Sequence, residues 1–215
     1  MRGLYAIIDP EHCAGRDPAW VAQEVLLGGC AALQLRAKAL SDRARLALAR
    51  TLAALCATHG VPFWLNDRVD LALLSGAAGV HLGQDDISLA DARSLFGEVS
   101  LRRETARFAG QLGLSTHSLQ QAESALKAGA DVIGFGPIFP TSSKLRRDPC
   151  VGLEALSEVC RQVACPVIAI GGIDLTHAHA IAHSGAAYAA VIGAVCKAPE
   201  PRAAAHALHR ALLQA

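Results

Sequence analysis

The sequence predicts an α/β protein, a single (β/α)8 TIM barrel spanning residues 1–215, on three observations. Eight short apolar runs alternate with longer amphipathic stretches along the chain, the order expected of repeated strand–helix units. The runs are rich in Val, Ile and Leu with little polar alternation, as parallel strands covered on both faces should be. Polar and charged residues gather at the C-terminal ends of these runs and leave the N-terminal ends bland, which is where a barrel carries its function. A doubly wound open sheet is the structural alternative. It would more often place a G-x-G-x-x-G turn after the first strand, and none occurs there.

The first strand is Leu4–Asp9, so near the start that an acid is met too early for a signal peptide. Asp17-Pro18, an N-cap followed by proline at the first helical position, opens a helix over Pro18–Leu27. Strand Ala31–Arg36 leads to a helix over Ser41–Thr58, with Ser41 as cap and Gly60 to close it. Strands Pro62–Asn66 and Gly79–Gly83 precede helices Val69–Ser75 and Leu89–Phe96. Strands Gln111–Thr116 and Asp131–Gly136 precede Ser118–Ala128, which stops at Gly129, and Leu153–Val163. Strands Pro166–Gly171 and Ala187–Ile192 precede Asp174–His183, which stops at Gly185, and Pro201–Leu213. Ala128-Gly129-Ala130-Asp131-Val132, Ser184-Gly185-Ala186-Ala187-Tyr188 and Ser75-Gly76-Ala77-Ala78-Gly79 form a weak internal repeat of helix end, glycine turn and strand. No linker or low-complexity segment divides the chain.

Composition narrows the function. Hydrophobic residues at 52% and charged residues at 18% suffice for one large core. A formal charge of +1 lacks the basic surplus of a general nucleic-acid binder, and two Trp, two Tyr and five Phe supply few stacking platforms. No apolar run is long enough to span a membrane. The seven cysteines are odd in number and contain no C-x-x-C, so they read as reduced thiols in a cytoplasmic protein. A homo-oligomer is compatible with all of this.

The strand C-terminal ends carry three subsites. Arg36, Lys38 and Lys144 are candidates to meet on a polyanion, the arginine as a fork and the lysines as point charges. Asp67 and Asp86 follow neighbouring strands. Two close carboxylates repel unless a cation or proton lies between them, and beside phosphates Mg²⁺ is the natural guest. Helix-capping aspartates are the plainer alternative. Gly171-Gly172 and Ile192-Gly193 follow the seventh and eighth strands, where barrels commonly hold a monophosphate on backbone N–H groups. Ordinary turn glycines are the alternative there. His117 stands at a functional strand end, whereas His81 reads as a core or rim histidine. His177, His179 and His183 lack the acid of an H-E-x-x-H motif and read as surface or helix-terminal residues.

Seven short strings occur in order: Leu4-Tyr5-Ala6-Ile7, Gln34-Leu35-Arg36-x-Lys38, Asn66-Asp67-Arg68-Val69-Asp70, His81-Leu82-Gly83-Gln84-Asp85-Asp86, Ser115-Thr116-His117, Gly134-Phe135-Gly136-Pro137-Ile138-Phe139-Pro140-Thr141 and Ile170-Gly171-Gly172-Ile173. Together they resemble the thiamine phosphate synthase family, from the first strand to the last. The resemblance implies a (β/α)8 barrel that joins 4-amino-2-methyl-5-hydroxymethylpyrimidine diphosphate to a thiazole phosphate, releasing pyrophosphate with the help of Mg²⁺. It implies that Gln34, Leu35, Arg36, Ala37, Lys38, Asn66, Ser115 and Lys144 bind the pyrimidine diphosphate. Asp67 and Asp86 would hold the metal. Thr141, Ser142, Ser143, Gly172, Ile192 and Gly193 would bind the thiazole phosphate. Arg36, Lys38 and Lys144 would stabilise the leaving group.

Three features depart from the family pattern. The segment from Asp86 to Ser115 is long, with a charged part at Leu101-Arg102-Arg103-Glu104-Thr105-Ala106-Arg107 that reads as an extra helical turn or a surface insertion. Position 193 is glycine where the family often has serine. Lys144 is followed by Leu145-Arg146-Arg147-Asp148. Two rival readings remain on the same barrel. A thiazole tautomerase would use His117 as base and would not need the metal and diphosphate residues. A non-catalytic phosphate-ligand sensor would bind without turnover.

Overall fold

The structure is a computed structural model that describes residues 3–102, 110–141 and 149–214. Eight parallel strands close into a barrel in chain order, β1 through β8. They are β1 Gly3–Ile8, β2 Ala32–Leu35, β3 Phe63–Asn66, β4 Gly79–Leu82, β5 Gln111–Thr116, β6 Val132–Phe135, β7 Val167–Ile170 and β8 Tyr188–Val191. The (β/α)8 expectation therefore holds, with each strand within a residue or two of its sequence-based bounds.

The helices are α1 Pro18–Gly28, α2 Asp42–His59, α3 Val69–Ser75, α4 Leu89–Arg102, α5 Leu119–Lys127, α6 Gly152–Gln162, α7 Ala178–His183, α8 Gly193–Cys196 and α9 Pro201–Leu213. Local chemistry sets their ends. Asp17 accepts from Ala19 N at 2.9 Å, and Ser41 accepts from Ala44 N at 3.4 Å. Gly60 closes α2 in the left-handed region. Two helices differ from expectation. α4 runs six residues past Phe96, because Gly97 costs a helix interior only about 1 kcal/mol and does not stop it. Asp174 caps a 3-10 turn at Leu175–His177 before α7 begins, rather than opening one continuous helix. The four residues of α8 are too few to show a helical period, and no expectation covered them. The charged stretch after Arg102 lies outside the described residues.

The period of two along each strand sorts the core into two layers. Leu4, Ile8, Leu33, Leu35, Leu65, Leu82, Ile133 and Phe135 face outward into the helical ring. Tyr5, Ile7, Ala32, Trp64, Val132, Ile168 and Ala190 fill the barrel interior. The seam that closes the barrel pairs Gly3 with Tyr188 and Ala6 with Val191. Beside it α1 packs on α9. Gly28 has no Cβ, so the Arg202 carbonyl can approach where a Cβ would stand only 2.3 Å away. Arg202 also pairs with Glu24 at 2.9 Å. His209 Nδ1 accepts from Leu4 N at 3.2 Å. Arg16 donates to Cys196 O at 2.6 Å, Ala198 O at 2.8 Å and Cys13 O at 3.1 Å, clasping the loop after β1 to the link between α8 and α9. All seven cysteines are free thiols; Cys13, Cys30, Cys56 and Cys196 are buried. Among the described residues no helix is long and apolar enough to cross a membrane.

Candidate functional site

A cavity of about 810 Å³ opens at the C-terminal end of the barrel. Its floor is the upper layer of the barrel interior. The Tyr5 ring is wedged between Trp64 and Tyr188, each 6.2 Å away between centroids. Its hydroxyl accepts from Gln34 Nε2 at 3.0 Å, and burial drives its acidity far down, so it stays protonated. His81 Nε2 pairs with Ser115 Oγ at 3.1 Å. The His81 ring fits because the next two strands carry glycine: a Cβ at Gly113 on β5 would lie 2.4 Å from its Nδ1, and one at Gly134 on β6 2.8 Å from its Nε2. Gly113 is the residue directly paired with His81 across β4 and β5. His81 is thus a buried histidine that also forms part of the cavity wall, within the core-or-rim reading of the sequence. The available signal was the pair of glycines in otherwise apolar strands.

On the β2 side the period of two divides the segment 34–38. Gln34 and Arg36 line the cavity. Leu35 and Ala37 are buried in the outer core and bring no side chain to the cavity wall, so of these two only backbone groups could meet a ligand. Arg36 Nη1 donates to the buried carboxylate of Asp9. Lys38 stands at the rim with its Nζ 2.9 Å from Asp67 Oδ2. Arg36 and Lys38 therefore each lean on a different aspartate rather than on one another's neighbourhood. Ser142, Ser143 and Lys144, with Arg146 and Arg147, lie outside the described residues.

Asn66 ends β3 and lines the cavity. Asp67 follows in the left-handed region, φ 65°, with its N–H donating to His81 O at 2.9 Å. Short polar residues tolerate that conformation best. Asp86 Oδ2 accepts from Gly83 N at 2.6 Å, which folds the chain after β4 back toward Asp67. The Asp86 carboxyl is held above the usual range, first by burial and then by the neighbouring Asp67 charge, while the Gly83 N–H and Lys38 oppose the rise. Asp67 is therefore close enough to Asp86 for its charge to be felt there, as a pair on neighbouring strand ends should be. Among the described residues no cluster of three or more His, Cys, Asp or Glu is gathered. A cation here would rest on these two carboxylates, with water and substrate oxygens completing its shell.

The opposite wall is backbone. Gly171 and Gly172 adopt φ 104° and 63°. A Cβ on Gly172 would stand 2.5 Å from Pro140 O, and one on Gly171 2.6 Å from Pro137 Cα. This glycine pair lets the β7 turn nest against the segment after β6, where Ile138 N donates to Ile170 O at 2.9 Å and Phe139 N to Gly171 O at 3.0 Å. Phe139 stacks on His177, 3.8 Å between ring centroids. Thr141, Gly172, Ile192 and Gly193 all line the cavity. Gly193 starts α8, and a Cβ there would meet only Lys197 Cδ at 3.8 Å, so the position has room for a small side chain. His117 also lines the cavity; its Nδ1 donates to Gly136 O at 2.5 Å and its N–H to Gln121 Oε1 at 2.7 Å. His179 and His183 are exposed on α7 and do not line the cavity.

Comparison with known proteins identifies a family for this barrel. The family described as thiamine monophosphate synthase matches residues 4–195. The thiamine-phosphate synthase of Anaeromyxobacter dehalogenans is 44% identical over 205 residues, covering 95% of this chain and 85% of that one. That of Shouchella clausii is 41% identical over 212 residues, covering 99% and 97%. Among solved structures, the thiamine phosphate pyrophosphorylase from Pyrococcus furiosus superposes with a TM-score of 0.85 at 32% identity, covering 99% of this chain and 96% of that one. With the family match running from β1 into α8 and relatives aligned nearly end to end, the chain belongs to the thiamine monophosphate synthase family.

Proposed function

We propose that the protein is a thiamine phosphate synthase, a transferase joining 4-amino-2-methyl-5-hydroxymethylpyrimidine diphosphate to thiazole phosphate. The observation that carries the reading is the division of one cavity. Arg36 and Asn66 line one side, beside Lys38, Asp67 and Asp86, and the backbone of Gly172 and Gly193 lines the other. A cavity of this size suits two small substrates held together. The seven free thiols fit a reducing, cytoplasmic setting.

Asp67 and Asp86 fit Mg²⁺: two hard oxygen donors close enough to raise one pKa, with Lys38 already drawn to their charge. Bound there, Mg²⁺ supplies positive charge to the departing pyrophosphate. Gln34, Ser115 and Asn66 offer hydrogen bonds to the aminopyrimidine from the cavity floor. Arg36 and Lys38 receive the charge that grows on the leaving oxygen as the benzylic-type C–O bond breaks. Lys144 is assigned to the same group on the family resemblance. The diphosphate departs with the bonding pair, and the electron-rich ring carries the resulting cation. The thiazole nitrogen then donates its lone pair to that carbon, giving thiamine phosphate. Thr141, Gly172 and Gly193 hold the thiazole phosphate so that the nitrogen faces the carbon, with Ser142 and Ser143 assigned there by resemblance. No proton need be removed, so positioning carries much of the rate.

Pyrophosphate release by the purified protein tests this. It should require both substrates and Mg²⁺, with thiamine phosphate formed in step. Asp67→Ala and Asp86→Ala should each abolish the Mg²⁺ response. Release that ignores Mg²⁺, or survives both substitutions, refutes the metal assignment. The tautomerase reading would instead predict a metal-independent activity lost in His117→Ala. The sensor reading predicts thiazole phosphate binding without release.

A further inference from the structure

The assignment of Arg36 to the diphosphate, on which this inference rests, raises the question of what holds its guanidinium still. Asp9 is the only acidic side chain among the described residues that is buried, with no exposed surface. It follows β1 directly. Its Oδ1 accepts from Glu11 N at 3.1 Å, capping the 3-10 turn Pro10–His12, and its Oδ2 takes Arg36 Nη1, with His12 Nδ1 at 3.4 Å. Arg36 N donates to Ile8 O at 2.9 Å, so the two residues sit side by side on adjacent strand ends. Among the described residues Asp9 is the sole partner of the Arg36 side chain, which also lines the cavity. A cap does not need a charge, since Ser, Thr or Asn serves as well. A buried carboxylate persists only where a cation answers it.

We infer that Asp9 is a positioning residue for the transfer reaction: it fixes the Arg36 guanidinium so that the remaining N–H donors are presented to the substrate diphosphate before it arrives. An untethered arginine has to be ordered during binding, at the expense of affinity. Asp9→Asn keeps the shape and the cap acceptor and removes the charge. It should raise KM for the pyrimidine diphosphate by about 3- to 10-fold and lower kcat, while KM for thiazole phosphate stays put. In an Arg36→Ala background, Asp9→Asn should add no further loss. Equal losses in both backgrounds, or a parallel rise in both KM values, would mean that Asp9 is merely structural. If Arg36→Ala leaves diphosphate binding unchanged, the diphosphate assignment falls and this inference with it. If Arg36→Ala weakens binding but Asp9→Asn does not, only the inference falls. Asp9→Ser, which keeps a capping oxygen, replaces the Asn variant should that fail to fold. Failure of both to fold marks Asp9 as a folding residue and overturns the inference.

Discussion

Gly113→Ala places a methyl group where the His81 ring now lies, and the conflict can be sized. The new Cβ would sit 2.4 Å from His81 Nδ1 and 3.1 Å from both Cε1 and Cγ. The Nε2 end of the ring occupies room left by Gly134, where a Cβ would lie 2.8 Å away. Overpacking of this kind costs about 1–3 kcal/mol. The gain from replacing a strand glycine returns about 0.5–1 kcal/mol of that. The midpoints leave a net loss of about 1 kcal/mol, a fall in Tm of about 2–4 °C for a domain of this size. Thermal unfolding followed by circular dichroism measures it. The double variant Gly113→Ala/His81→Ala is the diagnostic, because removing the ring removes the conflict. Its loss should fall short of the summed single losses by at least about 0.5 kcal/mol. The ring also carries the bond to Ser115, so Gly113→Ala should raise KM for the pyrimidine diphosphate and leave that for thiazole phosphate nearly unchanged. A neutral or stabilising Gly113→Ala, or a strictly additive cycle, would refute the packing argument.

Three more outcomes are expected. His209 must be neutral at Nδ1 to accept from Leu4 N, and burial, followed by the charge of His206, lowers its pKa below the usual 6.5. The unfolded chain then binds more protons in acid, so this stability is full above about pH 6.5 and lost as pH falls through the lower folded value; His209→Asn, which keeps an acceptor, should flatten the acid side of a Tm-against-pH curve. Gly172→Ala forces a side chain into φ 63° and onto Pro140 O, so it should raise KM for thiazole phosphate by more than that for the diphosphate in initial-rate assays. Timed alkylation followed by peptide mapping should label the exposed Cys150 first, well ahead of Cys30 and Cys56, which are buried and pushed up to about 12.

Most of the architecture was legible because a barrel repeats one local pattern. Continuous apolar runs and glycine-closed helices mark each unit, and the polar residues at strand ends mark the rim. Asp67 and Asp86 could be paired from strand order alone, since neighbours in a closed barrel are neighbours in sequence. What escaped depended on direction and on single contacts. Contiguity alone could not say that Leu35 turns its side chain into the outer core while Gln34 and Arg36 face the cavity, because a strand turns alternate residues to opposite faces. Asp9 passed for the end of a strand, because its partner lies one strand away and only the folded seam joins them. α8 is shorter than any period that could reveal it.

The clasp made by Arg16 bears on how the protein comes to be active as it is made. Its carbonyl partners on Cys196 and Ala198 are separated from it by about 180 residues of chain. The same is true of the β1–β8 seam that runs beside it. Contacts so distant in sequence form slowly, because a long loop must be closed before they return any free energy. During synthesis the residues of the acidic rim, Asp67 and Asp86, emerge well before Gly193 and α9. The backbone wall of the cavity at Ile192 and Gly193 can form only when the last strand docks against the first. A ribosome-bound chain lacking its C-terminal stretch should therefore hold no competent site, and circular permutants that make the β1–β8 join local should fold faster to the same barrel.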